Sequence, residues 1–425
     1  MASEIATRAL AAFPAGISNG EFGLPPDALM AIERGEGARL WDSAGREYLD
    51  FSMGWGSALV GHARPEVVAA VVRQAPLGAN FAHLNTAVLE LAEEIRRVSP
   101  AARRLRFCAS GTEATMYCQR LARAVTGKAR ILKFEGAYHG ANEAGVTSLF
   151  PARNLDFPEP ELTSAGTPSA AHELLVAPWN DLASTAAILR AHAGTLAGVI
   201  MEPLQRCTPP VPGFLEGVRA LCTELGLVLI WDEVVTGFRL AYGGAQEYYG
   251  VVPDLVAYGK ALGGGYPIGA FGGRADIMEW VSEHRIGRDD YVWMASTLGG
   301  NPISATAARA TLGVLRQPGT YEHLHGLGAR FREMLRETLA RRQAIAQVIG
   351  DGPLAQVVFS DRPVTDYRST ARADKARGRR LMLGLFARGV FINPMGTKLY
   401  LSLAHDQATC AAFCDRLDDT LAEIG

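Results

Sequence analysis

The chain has 425 residues, 48% hydrophobic and 20% charged, which is enough apolar content for a sizeable core and too much for a disordered chain. Its formal net charge of −2 recruits neither nucleic acid nor an acidic membrane surface. No run of 18 apolar residues occurs, and the opening "MASEIATRALAAFPAG" carries Glu4 and lacks a long apolar centre, so neither a membrane span nor a secretory signal is expected.

In chain order, "GEGARLWDSAGREYLDF" reads as a hairpin within an N-terminal segment, residues 1–60, that packs with a later small domain. A large domain is expected over residues 61–305. There, short apolar runs alternate with amphipathic segments: "ARILKF" (129–134), "LAGVIM" (196–201), "LVLIWDEV" (227–234), "LVAYG" (255–259) and "IGAFGG" (268–273). They are apolar on both faces, as parallel strands covered by helices are. Between them lie helices such as "FLEGVRALCTELG", stopped at Gly226. From Gly300 the pattern changes to long helices, "NPISATAARATLGVL" and "LGARFREMLRETLARR", then shorter strands and a last helix at "QATCAAFCDRLDDTLAEI". That predicts a small C-terminal domain over residues 306–425. The fold class is α/β: a mostly parallel sheet wrapped by helices, with a smaller α+β domain built from both termini. Six cysteines (Cys108, Cys118, Cys207, Cys222, Cys410, Cys414) form no CxxC pair, so reduced thiols, a cytoplasmic protein and no metal site are expected.

Ligands of such a sheet collect beyond the carboxyl ends of its strands. After 129–134 come Tyr138 and His139. After 196–201 comes Glu202, after "LVLIW" Asp232, and after "LVAYG" the lysine Lys260, followed by three glycines. Each alone is unremarkable, since strand-end carboxylates often cap helices. Together they assemble an aromatic ring, two carboxylates and an amine on one edge. Upstream, Ser110-Gly111-Thr112 leads from a short strand into a helix starting near Glu113. This turn offers backbone N–H groups to a phosphate, although "SGTE" by itself reads better as a capping box with no ligand.

A phosphate cradle, an amine, a strand-end carboxylate and an aromatic ring together suit pyridoxal 5′-phosphate. The lysine forms a Schiff base with its aldehyde. The carboxylate keeps the pyridine nitrogen protonated so that the ring accepts electrons. At an effective dielectric of ~20 and ~4 Å, that pairing is worth roughly 4 kcal/mol. Asp232 precedes Lys260 by 260 − 232 = 28 residues, room for one strand–helix–strand excursion.

The segments "GHARPEV", "SGTEA", "GAYHG", "EP", "DEVVTGFR", "GKALGGGYPIGAFGGRADIM" and "STLGGNP" carry a resemblance over nearly the whole length. The chain resembles the class III (ω-type) aminotransferases of PLP fold type I, in particular the glutamate-1-semialdehyde aminomutase branch. The resemblance implies Lys260 as the Schiff-base and proton-shuttling lysine, Asp232 on the pyridine nitrogen, and Tyr138 on the ring face. It implies Ser110, Gly111 and Thr112 around the phosphate, with Thr297 of a neighbouring subunit completing the cradle of a homodimer with shared sites. His139, Glu202 and Val235 are placed with the cofactor, and Trp55 on the substrate side.

The chain departs from the pattern in its arginines. The aminomutase carries one a few residues after an N-terminal "PGG"; here the stretch is "FPAGISNGEFG", with Phe22 in that register and no arginine between Arg8 and Arg34. The arginine that clamps a carboxylate near the C-terminus of other members is replaced by Leu401 in "GTKLYLSLAH". Lys398 or Arg206 are the candidates to take over. The leading expectation is an aminotransferase acting between small amines or amino acids and oxo acids or aldehydes. An aminomutase or racemase would use the same residues without a second substrate, and a non-catalytic PLP-binding or assembly protein would not need both Lys260 and Asp232.

Overall fold

The computed structural model describes residues 4–19, 24–393 and 397–424; Phe22 lies outside them. The chain divides into two compact units. The larger comprises residues 65–321 and 365–368, and the smaller takes residues 1–64, 322–364 and 369–425. The boundary falls at 321/322, so the helix Pro302–Leu315, with Asn301 capping Ser304 N at 2.9 Å and a proline in its first turn, belongs to the larger unit.

The larger unit is built on a seven-stranded sheet. Across it the order is Arg104–Cys108, Gly269–Gly273, Leu255–Tyr258, Val228–Asp232, Leu196–Met201, Arg130–Phe134 and Leu174–Ala177. The apolar runs form these strands because both faces are covered: every residue of Leu196–Met201, Val228–Asp232 and Leu255–Tyr258 is buried. Burying each large apolar side chain, such as Phe134, Leu229 or Phe271, contributes about 1.5–3 kcal/mol.

One strand departs from the parallel expectation. "IGAFGG" supplies Gly269–Gly273, which runs antiparallel to both of its neighbours. The connection from Tyr258 holds only a turn of 3-10 helix, Lys260–Gly263, whereas a parallel return needs a crossover of about a dozen residues or more. Its glycines have a packing reason: a Cβ on Gly269 would lie 2.2 Å from the Ser110 carbonyl oxygen. The strand can therefore lie against the turn that opens the helix Gly111–Thr126.

The smaller unit draws on both termini. Ile32–Glu36, Arg39–Asp42 and Glu47–Asp50 form an antiparallel sheet that Val390–Phe391 joins in parallel. The expected hairpin is present; Asp42 Oδ1 closes its turn by accepting from Ala44 N and Arg46 N, and Gly45 is left-handed at φ 80°. A second sheet pairs Gln347–Ile349, Leu354–Val358 and Lys398–Tyr400. Helices including Lys375–Ala387 and Gln407–Ile424 cover a core in which Phe51, Phe331 and Phe413 meet with centroids 4.6–5.3 Å apart. The six cysteines are free and buried, and no group of metal-ligating side chains occurs among the described residues. No described helix is long and apolar enough to cross a membrane.

Candidate active site

Four strand ends of the larger unit converge on one edge. At the end of Leu255–Tyr258, Gly259 is extended and Lys260 is left-handed at φ 43°. A lysine in that region is strained, and the short turn behind it holds the strain. Gly264 needs its small size: a Cβ there would lie 2.1 Å from Thr311 Oγ1. The Lys260 amine is half-buried and receives no hydrogen bond or ion pair among the described residues. Burial pulls its ammonium below the ordinary lysine range. The Asp232 and Glu202 carboxylates oppose that pull, and the Arg206 and Arg239 guanidiniums add to it.

Asp232 ends the neighbouring strand. Its Oδ2 lies 2.9 Å from His139 Nδ1, and its Oδ1 accepts from Val234 N at 3.0 Å. Glu233 follows on the opposite face, as adjacent residues of an extended chain must. It is fully buried, accepting from Ala245 N, Gln246 Nε2 and Thr236 Oγ1, and burial pushes its carboxyl up to about 7. Two adjacent acids thus take different partners, and only Asp232 belongs to the edge.

Glu202 is tied by two backbone donors, Tyr138 N at 3.0 Å and Arg206 N at 3.1 Å. It links the strand Leu196–Met201 to the loop after Arg130–Phe134. Lys133, which the sequence analysis did not single out, holds that loop from below. Fully buried, its Nζ donates to the carbonyls of Ala137, Ala144, Gly145 and Thr147 at 2.6–3.2 Å. The only signal in the sequence was one charge in the otherwise apolar "ILKF".

At the start of Gly111–Thr126, Ser110 Oγ caps Glu113 N at 3.2 Å, and Ala109 N donates to Glu113 Oε2 at 3.3 Å. Ser110 is thus the N-cap, with the Glu113 carboxylate reaching one residue past it, and the Gly111 and Thr112 N–H groups are left without an acceptor among the described residues. The loop after Tyr138 packs against Thr112: a Cβ on Gly140 would lie 2.7 Å from Thr112 Cα, and Ala141 N donates to Thr112 Oγ1 at 3.3 Å. The valine beside this turn is Val234, not Val235. A Cβ on Gly111 would meet Val234 Cγ2 at 2.7 Å, while the Val235 carbonyl accepts from Arg239 Nε.

Residues 25–421 match the aminotransferase class-III family model. The chain belongs to that family. A glutamate-1-semialdehyde 2,1-aminomutase of Desulforudis audaxviator is 42% identical over 378 residues, 88% of this chain and 85% of that protein. An omega-transaminase from Sphaerobacter thermophilus superposes with a TM-score of 0.92 at 33% identity, covering 100% of this chain and 97% of that one. A transaminase solved with PLP bound superposes at 0.89 and 28% identity, covering 99% and 96%. The architecture is PLP fold type I, and the family's cofactor is pyridoxal 5′-phosphate.

The residues present fit that group. An unpartnered, half-buried amine, a carboxylate oriented by an imidazole, and two orphan N–H groups at a helix start are what an aldehyde, a pyridine nitrogen and a phosphate require. Thr297 is exposed on the larger unit, where its carbonyl accepts from Asn80 Nδ2 at 3.1 Å. Trp55 and Lys398 belong to the smaller unit: Trp55 in a tight turn at φ 56°, Lys398 opposite Gln356 in the three-stranded sheet.

Proposed function

We propose that the chain is a PLP-dependent aminotransferase that moves an amino group from an amine or amino acid to an oxo acid or aldehyde. The observation that carries the reading is Lys260: an amine with lowered proton affinity and no hydrogen-bond partner among the described residues, within electrostatic reach of Asp232. When bound, pyridoxal 5′-phosphate supplies an electron sink for charge that develops on the substrate carbon. Lys260 supplies the amine that joins the aldehyde and carries the proton released at the substrate carbon. Asp232, aimed by His139 and Val234 N, holds a proton on the pyridine nitrogen. The Gly111 and Thr112 N–H groups and the Ser110 and Thr112 hydroxyls receive the phosphate. Tyr138, fixed through its N–H to Glu202, covers one ring face, and Val234 stands in for Val235 on the other. Thr297 serves the partner subunit's site in a homodimer, and the six buried thiols suit a cytoplasmic enzyme.

The stretch between Arg8 and Arg34, which holds no arginine, favours aminotransferase over aminomutase chemistry. The second reading, an isomerase, is favoured by the names of the curated relatives at 38–42% identity. Incubating the holoenzyme with amine donors and pyruvate or 2-oxoglutarate separates the two. A keto product with matching alanine or glutamate supports the aminotransferase. Conversion of glutamate-1-semialdehyde to a product of the same mass without any oxo acid supports the isomerase.

A further inference from the structure

Arg206 stands four residues after Glu202 in "EPLQRC", and its backbone is left-handed at φ 58°. Glycine enters that region freely and a long side chain only at a cost, so an arginine kept there points to use of its side chain. The guanidinium is held from one edge. Nε donates to Gly136 O at 3.2 Å, and the group lies 5.7 Å from the centroid of the Tyr138 ring. The one carboxylate within 4 Å of it among the described residues, Glu202, is 3.9 Å from Nε and already accepts from two backbone amides. Nη2 is buried and has no acceptor among the described residues. A buried guanidinium N–H without an acceptor is costly, which leaves a place for an acceptor from outside the chain.

The surroundings say what that acceptor is. Arg206 is the cation next to Tyr138 and Glu202, and its charge is felt by both Lys133 and Lys260, lowering their proton affinity. A second cation would add to that crowding, a neutral group would leave it unrelieved, and an anion relieves it. A planar guanidinium edge matches the two oxygens of a carboxylate.

We propose that Arg206 is the carboxylate subsite, receiving the acid group of an amino acid or oxo acid whose reacting carbon faces Lys260. The inference rests on the aminotransferase reading and names its substrate class. It also places the cation on the loop after Leu196–Met201, although Phe22 and Leu401 occupy the positions where related chains carry arginine.

The test is equilibrium binding to the holoenzyme by calorimetry. The probes are propionate, succinate and 3-phenylpropionate, each against its uncharged amide, for wild type, Arg206→Gln and Arg206→Lys. Wild type is expected to prefer at least one acid over its amide. Arg206→Gln should weaken that acid by about 10- to 100-fold, and Arg206→Lys, a point charge without the planar edge, should fall between. The lysine variant also keeps the test open if the glutamine variant does not fold. Equal acid affinity in wild type and both variants overturns the proposal, as does an absence of acid preference in wild type for all three pairs. If acid binding depends on Arg206 but no donor passes an amine to pyruvate or 2-oxoglutarate, the aminotransferase reading fails and the subsite stands. If amines are passed on and binding ignores Arg206, the subsite fails and the reading stands.

Discussion

His139 Nδ1 donates to Asp232 Oδ2 across 2.9 Å, between residues that are 1% and 5% exposed and 93 residues apart in sequence. A buried carboxylate with an imidazole on one oxygen and the Val234 amide on the other has a defined direction. Asp232→Asn removes the charge that a pyridinium needs. At ~4 Å and an effective dielectric of ~20 that charge is worth roughly 4 kcal/mol, so kcat should fall on the order of 10²- to 10³-fold while PLP still binds. His139→Ala leaves the charge and removes its orientation, so its loss should be smaller. Steady-state kinetics with a PLP titration checks both, and a near-normal kcat for Asp232→Asn would refute the role.

Lys260→Ala should lose the visible absorption of the lysine-bound cofactor and nearly all turnover. Borohydride treatment followed by peptide mass analysis should find the cofactor mass on Lys260 in wild type and nowhere in the variant. A reducible adduct on another lysine of the variant would show that the wrong amine was chosen.

Lys133 ties four carbonyls of the loop that carries Tyr138 and His139. Burial pulls its ammonium below the ordinary lysine range, while four groups that can only accept hold the proton in place. Lys133→Met keeps the apolar stem and strands those acceptors, each costing about 1–3 kcal/mol if no water reaches it. A loss of about 3 kcal/mol or more in urea unfolding is expected, with weaker PLP binding. Unchanged stability would mean that the loop does not depend on the tether.

His405, in the smaller unit, is buried and neutral. Its Nε2 donates to Asp50 O at 3.0 Å, and its Nδ1 accepts from Ser402 N at 3.1 Å. Burial pushes the ring from 6.5 down to about 4, against the pull of Asp50 and Asp406 and with help from His62. Below pH 6.5 the unfolded chain takes up a proton that the folded ring refuses until about pH 4. The stabilisation is therefore complete above 6.5 and lost as pH falls through 4, a window worth about 3 kcal/mol. His405→Gln should flatten the pH dependence of urea unfolding between pH 7 and 4 by that amount. Parallel curves for variant and wild type would refute it.

Thr297 tests the shared site. Mixing inactive Lys260→Ala subunits with inactive Thr297→Asp subunits should restore part of the activity, because one site in each mixed dimer then holds both good residues. Native mass spectrometry establishes subunit exchange first. Mixed dimers without activity would leave Thr297 as an ordinary exposed residue of the turn before Pro302.

What the sequence alone determined was the sheet, its helices and the edge where chemistry collects. Strands apolar on both faces and the Gly226 stop are local signals, and the residue after a strand's last apolar position has nowhere to go but the carboxyl edge, which is how Asp232, Glu202 and Lys260 were legible. Only the tertiary structure decided which way those side chains look. Val234 rather than Val235 faces Gly111, because the strand ends at Asp232 and the chain turns, Gly237 N donating to Glu233 O at 2.8 Å, so the alternation of the strand no longer tells which valine looks back. Lys133 reads as a charge misplaced in a strand until the fold brings four carbonyls to it. The unanswered Nη2 of Arg206 depends on the loop that carries Gly136 and Tyr138 meeting the loop that carries Glu202 and Arg206, about 70 residues further on, a contact that no local pattern of residues encodes.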